Sequence, residues 1–249
     1  MMRRLLIVAA SLLVFLAAVV AFLPASLVLS RFESRLPGLR FEQVSGTVWR
    51  GASGRIAVGP QELGRVRWSL SPWSLASGAL SLEIDWVGAE RRVSGRLWRR
   101  GSQLRLAEVD AVLPASVLQG VLEQPSLRAL GEVHLAIDHL DIEDGQATRV
   151  QGEAWWRDAA VGGAAQARLG DLHARLYLAG PEAVGGELSD RGGPLALSGG
   201  FTLTRAGYRT EAQVQGRTPE LAEALQWVGE PLPDGARRLI REARWWGRN

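Results

Sequence analysis

Near neutral pH, the side chains of this sequence that could act as proton acceptors or imidazole ligands are His134, His139 and His173. His134 and His139 stand five residues apart in a stretch that alternates like a strand. That spacing points them to opposite faces unless a bulge intervenes, so they make no metal-binding pair. The acidic group Asp138, Asp141, Glu143 and Asp144 ahead of Gly145 offers oxygen ligands. It lacks the alternate-residue spacing and the distal Glu of a calcium loop, and a solvated turn accounts for it. Serines occur in turn-like settings, Ala52-Ser53-Gly54 and Ala76-Ser77-Gly78, and no nucleophile elbow is present. Gly162-Gly163 and Gly192-Gly193-Pro194 lack the strand-loop-helix setting of a phosphate cradle.

Two absences narrow the chemistry further. There is no Cys, hence no disulfide, thiolate nucleophile or Cys-containing zinc site. All 29 basic residues are Arg, which removes the P-loop lysine and the Schiff-base lysine together. No catalytic, cofactor-binding or metal site is expected, and no cofactor. The pI of 10.3 accompanies a net charge of only +3, and the arginines are scattered between Arg31 and Arg248 without a continuous basic stripe. Nucleic acid is therefore not an expected partner.

The elements that would position any site are mostly strands. Val66, Trp68 and Leu70 alternate with polar neighbours, as do Leu80, Leu82, Ile84 and Trp86, and period two means strands. Ser71-Pro72 and Ala76-Ser77-Gly78 punctuate the link between them. Similar alternation runs over Val93–Leu97, Leu104–Val109, Val133–Ile137, Val150–Trp156, Leu172–Leu178, Leu195–Leu203 and Tyr208–Val214. The fold class expected is mainly β: an antiparallel, meander-like sheet, elongated or curved, with a few short helices. Those helices are Pro114–Glu123, a segment opened by Thr218-Pro219-Glu220, and a basic helix from Asp234 through Leu239-Ile240 toward Trp245-Trp246. A hydrophobic fraction of 47% supplies core enough for such a domain.

Ahead of the strands, Leu5 to Leu23 is a run of 19 residues interrupted only by Ser11, long enough as a helix to cross about 30 Å of hydrocarbon. It exceeds the apolar stretch of a signal peptide, and Val19-Val20-Ala21 is a poor cleavage site, so Leu5 to Leu23 is read as an uncleaved anchor. Arg31, Arg35 and Arg40 outnumber Arg3 and Arg4, and charge alone does not orient it. A short amino-terminal tail and a long following domain favour export of the domain. The expected layout is residues 1–24 as cytoplasmic tip and anchor, 25–217 as a periplasmic β-rich domain, and 218–249 as a helical segment packed on it.

A loose repeat appears at Gly46-Thr47-Val48-Trp49, Gly95-Arg96-Leu97-Trp98 and Gly152-Glu153-Ala154-Trp155. It marks either supersecondary units or coincidence in a chain rich in Gly and Trp. In each copy Val48, Leu97 or Ala154 takes one face, leaving Trp49, Trp98 and Trp155 on an otherwise polar one. Either packing covers these rings or they line a surface for a partner protein or lipid.

The chain resembles the type II secretion system protein N (GspN) family. The motifs that carry the likeness are Gly46–Gly51, Leu63–Pro72, Gly78–Leu80, Gly152–Trp156, Leu188–Leu195 and Gly199–Leu203, in that order behind an amino-terminal anchor. The resemblance implies a non-catalytic accessory of the machinery that exports folded proteins across the outer membrane. It would be single-pass in the cell inner membrane, with a cytoplasmic N-terminus and other inner-membrane secretion components as partners. A second resemblance is to lipid-handling β-groove proteins of the AsmA-like kind, with membrane lipid as the only small-molecule ligand. An apolar concave face open to acyl chains would favour that alternative, and a dry, filled core a scaffold.

Overall fold

The computed structural model describes residues 15, 18–33, 35, 36, 38–119, 126–163, 166–180 and 182–244. The chain divides into two compact units, Met1–Ala89 and Glu90–Asn249.

In the first unit, helix α1 (Ala25–Glu33) leads into strands β1 (Leu39–Gly46), β2 (Arg50–Val58), β3 (Gln61–Leu70) and β4 (Leu80–Val87), each antiparallel to the next. Cross-strand neighbours Val66 and Trp86, Trp68 and Ile84, and Leu70 and Leu82 bring the two alternating runs onto one face. A short helix, α2 (Pro72–Ala76), links β3 to β4. Pro72 occupies its first turn, and Ser71 Oγ accepts the Ser74 N–H at 3.3 Å. Ser53, expected in a turn, instead lies buried within β2, its hydroxyl 2.9 Å from Glu42 O and 2.8 Å from Arg55 O where the register with β3 shifts.

The second unit continues as a meander: β5 (Arg92–Arg100), β6 (Gln103–Pro114), β7 (Leu127–Glu143), β8 (Gln146–Gly163), β9 (Ala167–Gly180), β10 (Ala183–Asp190), β11 (Leu195–Leu203) and β12 (Gly207–Gly216). The acidic stretch before Gly145 is a tight β7–β8 turn in which Asp144 and Gly145 both have positive φ, +48° and +73°. Arg205 covers it by donating Nε to Gly145 O at 2.8 Å and its terminal nitrogen to Asp144 O. The bulge that the histidine spacing left open is present, between Ile137 and His139.

Helix α3 (Pro219–Leu225) starts as its residues foretell, with Pro219 in the first turn and Thr218 Oγ1 accepting the Leu221 N–H at 3.4 Å. Its Leu221 is buried with Leu195 of β11 and Val214 of β12, against Leu169, Leu172 and Leu239. Burial of one such side chain stabilises the unit by about 1.5–3 kcal/mol.

One expectation is corrected here, and another is seen only in part. The basic helix after Asp234 is a strand, β14 (Arg237–Arg244), paired along its length with β12 and, at Arg237 and Arg238, with β13 (Glu230–Pro231). Period two decides it: Arg237, Leu239 and Ala243 are half-buried while their neighbours are exposed, and pairing satisfies the edge of β12. The expected helix Pro114–Glu123 is described only at its start, where Ala115–Leu118 form a turn of 3-10 helix and Gln119 is α-helical; residues 120–125 lie outside the described ones. Trp245-Trp246 lie outside them as well.

No helix among the described residues is long and apolar enough to cross a membrane. Most of the Leu5 to Leu23 run, Leu5 included, lies outside those residues. Ala18–Ala21 are helical, and Leu23 precedes a bridge between Pro24 and Thr47.

Candidate functional site

The alternation of β3 and β4 gathers their apolar side chains on one face, and that face is not filled. It opens as a groove of about 530 Å³ within the first unit. Leu63, Val66, Trp68 and Leu70 form one part of the wall; Leu80, Leu82, Ile84 and Trp86 form the next. Phe41 and Ile56 extend it over β1 and β2, and Val28 and Leu29 of α1 close one side.

The groove has no polar side chain because its two indoles are tied off elsewhere. Trp68 Nε1 donates to Val48 O at 3.1 Å and Trp86 Nε1 to Leu63 O at 2.9 Å, so both rings present carbon to the opening. The Trp68 ring also lies over Gly51, where an added Cβ would fall 2.3 Å from it. Such a space suits apolar chains and offers no side chain for acid-base or nucleophilic chemistry. Around its α1 side, Leu27 and Val28 share a smaller pocket, about 240 Å³, with Arg31 and Arg35.

The three repeated tryptophans are half-buried, Trp49 in the first unit and Trp98 and Trp155 in the second. Trp49 belongs to a bend between β1 and β2, and its Nε1 donates to Val20 O at 2.7 Å, fastening the residues before α1 to the sheet. Val48 beside it faces the groove. Trp98 on β5 is opposite Arg105 of β6, whose guanidinium carbon stands 4.9 Å from the ring centre. Trp155 on β8 lies between His134 of β7 and His173 of β9, with the His173 ring 5.5 Å away. His173 is buried; its Nε2 is 3.4 Å from Glu153 Oε2 and makes no hydrogen bond.

Trp155 also borders a second groove, about 610 Å³, on the sheet face of the second unit. Glu153, Arg175 and Glu187 stand opposite one another across β8, β9 and β10 within it. Alternating charges on an open sheet face are what solvated strands carry, so the apolar groove is the better candidate although this one is larger. Among the described residues no group of three or more His, Cys, Asp or Glu side chains could hold a metal ion.

Residues 37–240 match the family model described as Type II secretion system (T2SS), protein N. The chain belongs to the type II secretion system protein N family. It is also similar to the type II secretion system protein N of Aeromonas hydrophila, 35% identical over 75 residues. That stretch covers 30% of this chain and 30% of the Aeromonas protein. No solved structure matches.

Family membership makes the chain a secretion component of the cell envelope, and the family is generally non-catalytic. The matched region takes in the groove strands β1–β4, while α1 lies ahead of it. Two motifs that carried the resemblance now have physical roles. In Leu188–Leu195, Asp190 closes the β10–β11 turn by accepting the Gly192 N–H at 2.9 Å and the Leu197 N–H at 3.0 Å, and it pairs with Arg217 at 2.7 Å. In Gly199–Leu203, the Phe201 ring covers Gly186 on β10, where an added Cβ would fall 2.1 Å from it.

Sequence reasoning named Trp68 and Trp86 as strand residues without seeing them as a site. It passed over Trp73, within α2, and Trp227, just past α3, which are 84% and 86% exposed. Their only sequence signal was proximity to the Ser71-Pro72 and Thr218-Pro219 helix starts.

Proposed function

We propose that this chain is an accessory, non-catalytic component of the type II secretion system that supports export of folded proteins across the outer membrane. The family match over residues 37–240 carries the reading. In this proposal Leu5 to Leu23 anchor the protein as a single helix in the cell inner membrane, the N-terminus is cytoplasmic and the β domain is periplasmic. A periplasm-dependent reporter fused after Val58 or after Gly145 will then be active, and the full-length chain will stay in the membrane through an alkaline carbonate wash. Release of a smaller soluble species would make the apolar run a cleaved signal.

Other inner-membrane secretion components are the proposed partners, met through the anchor or through a sheet edge. Strand β14 supports the second route. Among the described residues its outer side is paired only at Arg237 and Arg238, leaving the backbone from Leu239 to Arg244 available to an added strand. Trp49, Trp98 and Trp155 are proposed as partner-facing positions, with Trp155 the foremost because it borders a groove. For Trp155→Ala the expected result is an unchanged unfolding temperature with reduced exoprotein release; a loss of about 3–5 kcal/mol of stability would instead make the ring structural.

One observation favours a second reading, that the domain handles lipid. The groove over β3 and β4 is open, apolar throughout, and of the size that holds a small ligand.

A further inference from the structure

We infer that the first unit holds one acyl chain of an anionic glycerophospholipid, its tail in the apolar groove and its head group at Arg31 and Arg35. The inference rests on the lipid-handling reading and names the lipid's chemistry. Three observations carry it. The walls contributed by Val28, Trp68, Ile84 and Trp86 are purely apolar, and the indole N–H groups are bonded to backbone carbonyls, so an occupant gains contacts there only through hydrocarbon. Val28 borders both this groove and the pocket formed with Leu27, Arg31 and Arg35, which sets two guanidinium-bearing residues at one end of the apolar space. An anionic head group complements the positive charge of the two guanidinium groups, which an apolar peptide does not.

The third observation is continuity. Val19, Val20, Phe22 and Leu27 are exposed apolar residues leading to α1, and this approach is fastened to the sheet by Trp49 Nε1 to Val20 O and by Val48 N to Leu23 O at 3.0 Å. Apolar surface thus runs from the residues before α1 to the groove, a path for a chain that leaves a bilayer with its head group still at the interface.

The test uses the full-length chain reconstituted in vesicles that contain a photoactivatable acyl chain on phosphatidylglycerol or on phosphatidylcholine, with labelled residues mapped by mass spectrometry. Expected is labelling on β3 and β4 that is stronger with phosphatidylglycerol. Arg31→Gln and Arg35→Gln should each lower it roughly fivefold, while Arg→Lys at the same positions retains most of it. Ile84→Glu should abolish groove labelling with either head group, and an unchanged circular dichroism spectrum separates that loss from misfolding. Equal labelling by the two lipids, indifferent to the Arg changes, overturns the inference, as does a groove protected from lipid by a cross-linked protein segment. The lipid-handling reading fails separately, if neither lipid labels any residue beyond the Leu5 to Leu23 run.

Discussion

Asp190→Ala is expected to unfold with about 2–3 kcal/mol less stability at pH 7 than the parent chain, a magnitude set by the loss of hydrogen bonds to a charged acceptor. The Asp190 side chain is only 14% exposed. Its carboxylate takes the Leu197 N–H just past the last β10–β11 pair, Ser189 with Ser198, and so extends the ladder where no carbonyl is available. Arg217 completes the knot by donating to Asp190, to Gly193 O at 2.7 Å and to Leu195 O at 3.1 Å. Removing the carboxylate leaves the Leu197 N–H without its acceptor and the guanidinium without its charge partner, held only by the two carbonyls. The Arg217 side chain is 44% exposed, so solvent screens part of the charge attraction and keeps the loss within that range.

The same knot gives stability a pH dependence of known sign. The hydrogen bond from Arg217 holds the Asp190 carboxyl well below its ordinary value of 3.8, with the N–H groups of Leu197 and Gly192 acting in the same direction against partial burial. A depressed folded-state value means that the unfolded chain takes up the proton first. The contribution is therefore complete above the ordinary value and is lost as pH falls below 3.8 toward the lower folded-state value. Urea titrations at pH 7, 5, 4 and 3 check this. The parent chain should lose stability between the last two steps, and Asp190→Asn should lose distinctly less over that interval. Equal losses in both chains would mean that Asp190 is not the group titrating.

How much of this was legible depends on where side chains carry the pattern. Strands β3 and β4 could be read because Val66, Trp68, Leu70 and Leu80 to Trp86 place an apolar group at every second residue. Strands β2 and β10 could not, since Gly51, Gly54, Gly185 and Gly186 leave gaps in their alternation; the missing bulk at Gly51 and Gly186 comes from Trp68 and Phe201 on the neighbouring strands. Helix α1 was passed over although Ala25, Val28, Leu29 and Phe32 recur at helical intervals, because Pro24 reads as the close of an apolar run and not as the start of an element. In β14 the adjacent pair Leu239-Ile240 suits both periods, and the strand is selected by the half-buried positions Arg237, Leu239 and Ala243 together with the pairing that the edge of β12 requires.

The site was harder to see than the fold. Alternation places Trp68, Ile84 and Trp86 on one face, but whether a face is covered depends on distant chain, and among the described residues no side chain fills the space over it. The repeated Trp motif takes more than one backbone setting. Gly46 has a φ of +85°, and the chain bends before Trp49, so that ring fastens the approach to α1, whereas Trp98 and Trp155 sit in regular pairs. A shared Gly and a Trp three residues on do not fix a shared backbone phase.

Deletion of the chain is expected to have the largest effect on the cell. A folded exoprotein should reach the periplasm at its normal rate and then accumulate there, because the proposed partners act after inner-membrane transport and the proposed role is that of a non-catalytic accessory. The most direct measurement is the ratio of that exoprotein in the medium to that in the periplasm, in an in-frame deletion strain and in the same strain supplied with the full-length chain. Expected is a lower ratio in the deletion, restored by the full-length chain, with total exoprotein unchanged. An unchanged ratio, accompanied by a defect in outer-membrane lipid, would contradict a role in secretion and leave lipid handling as the function of this fold.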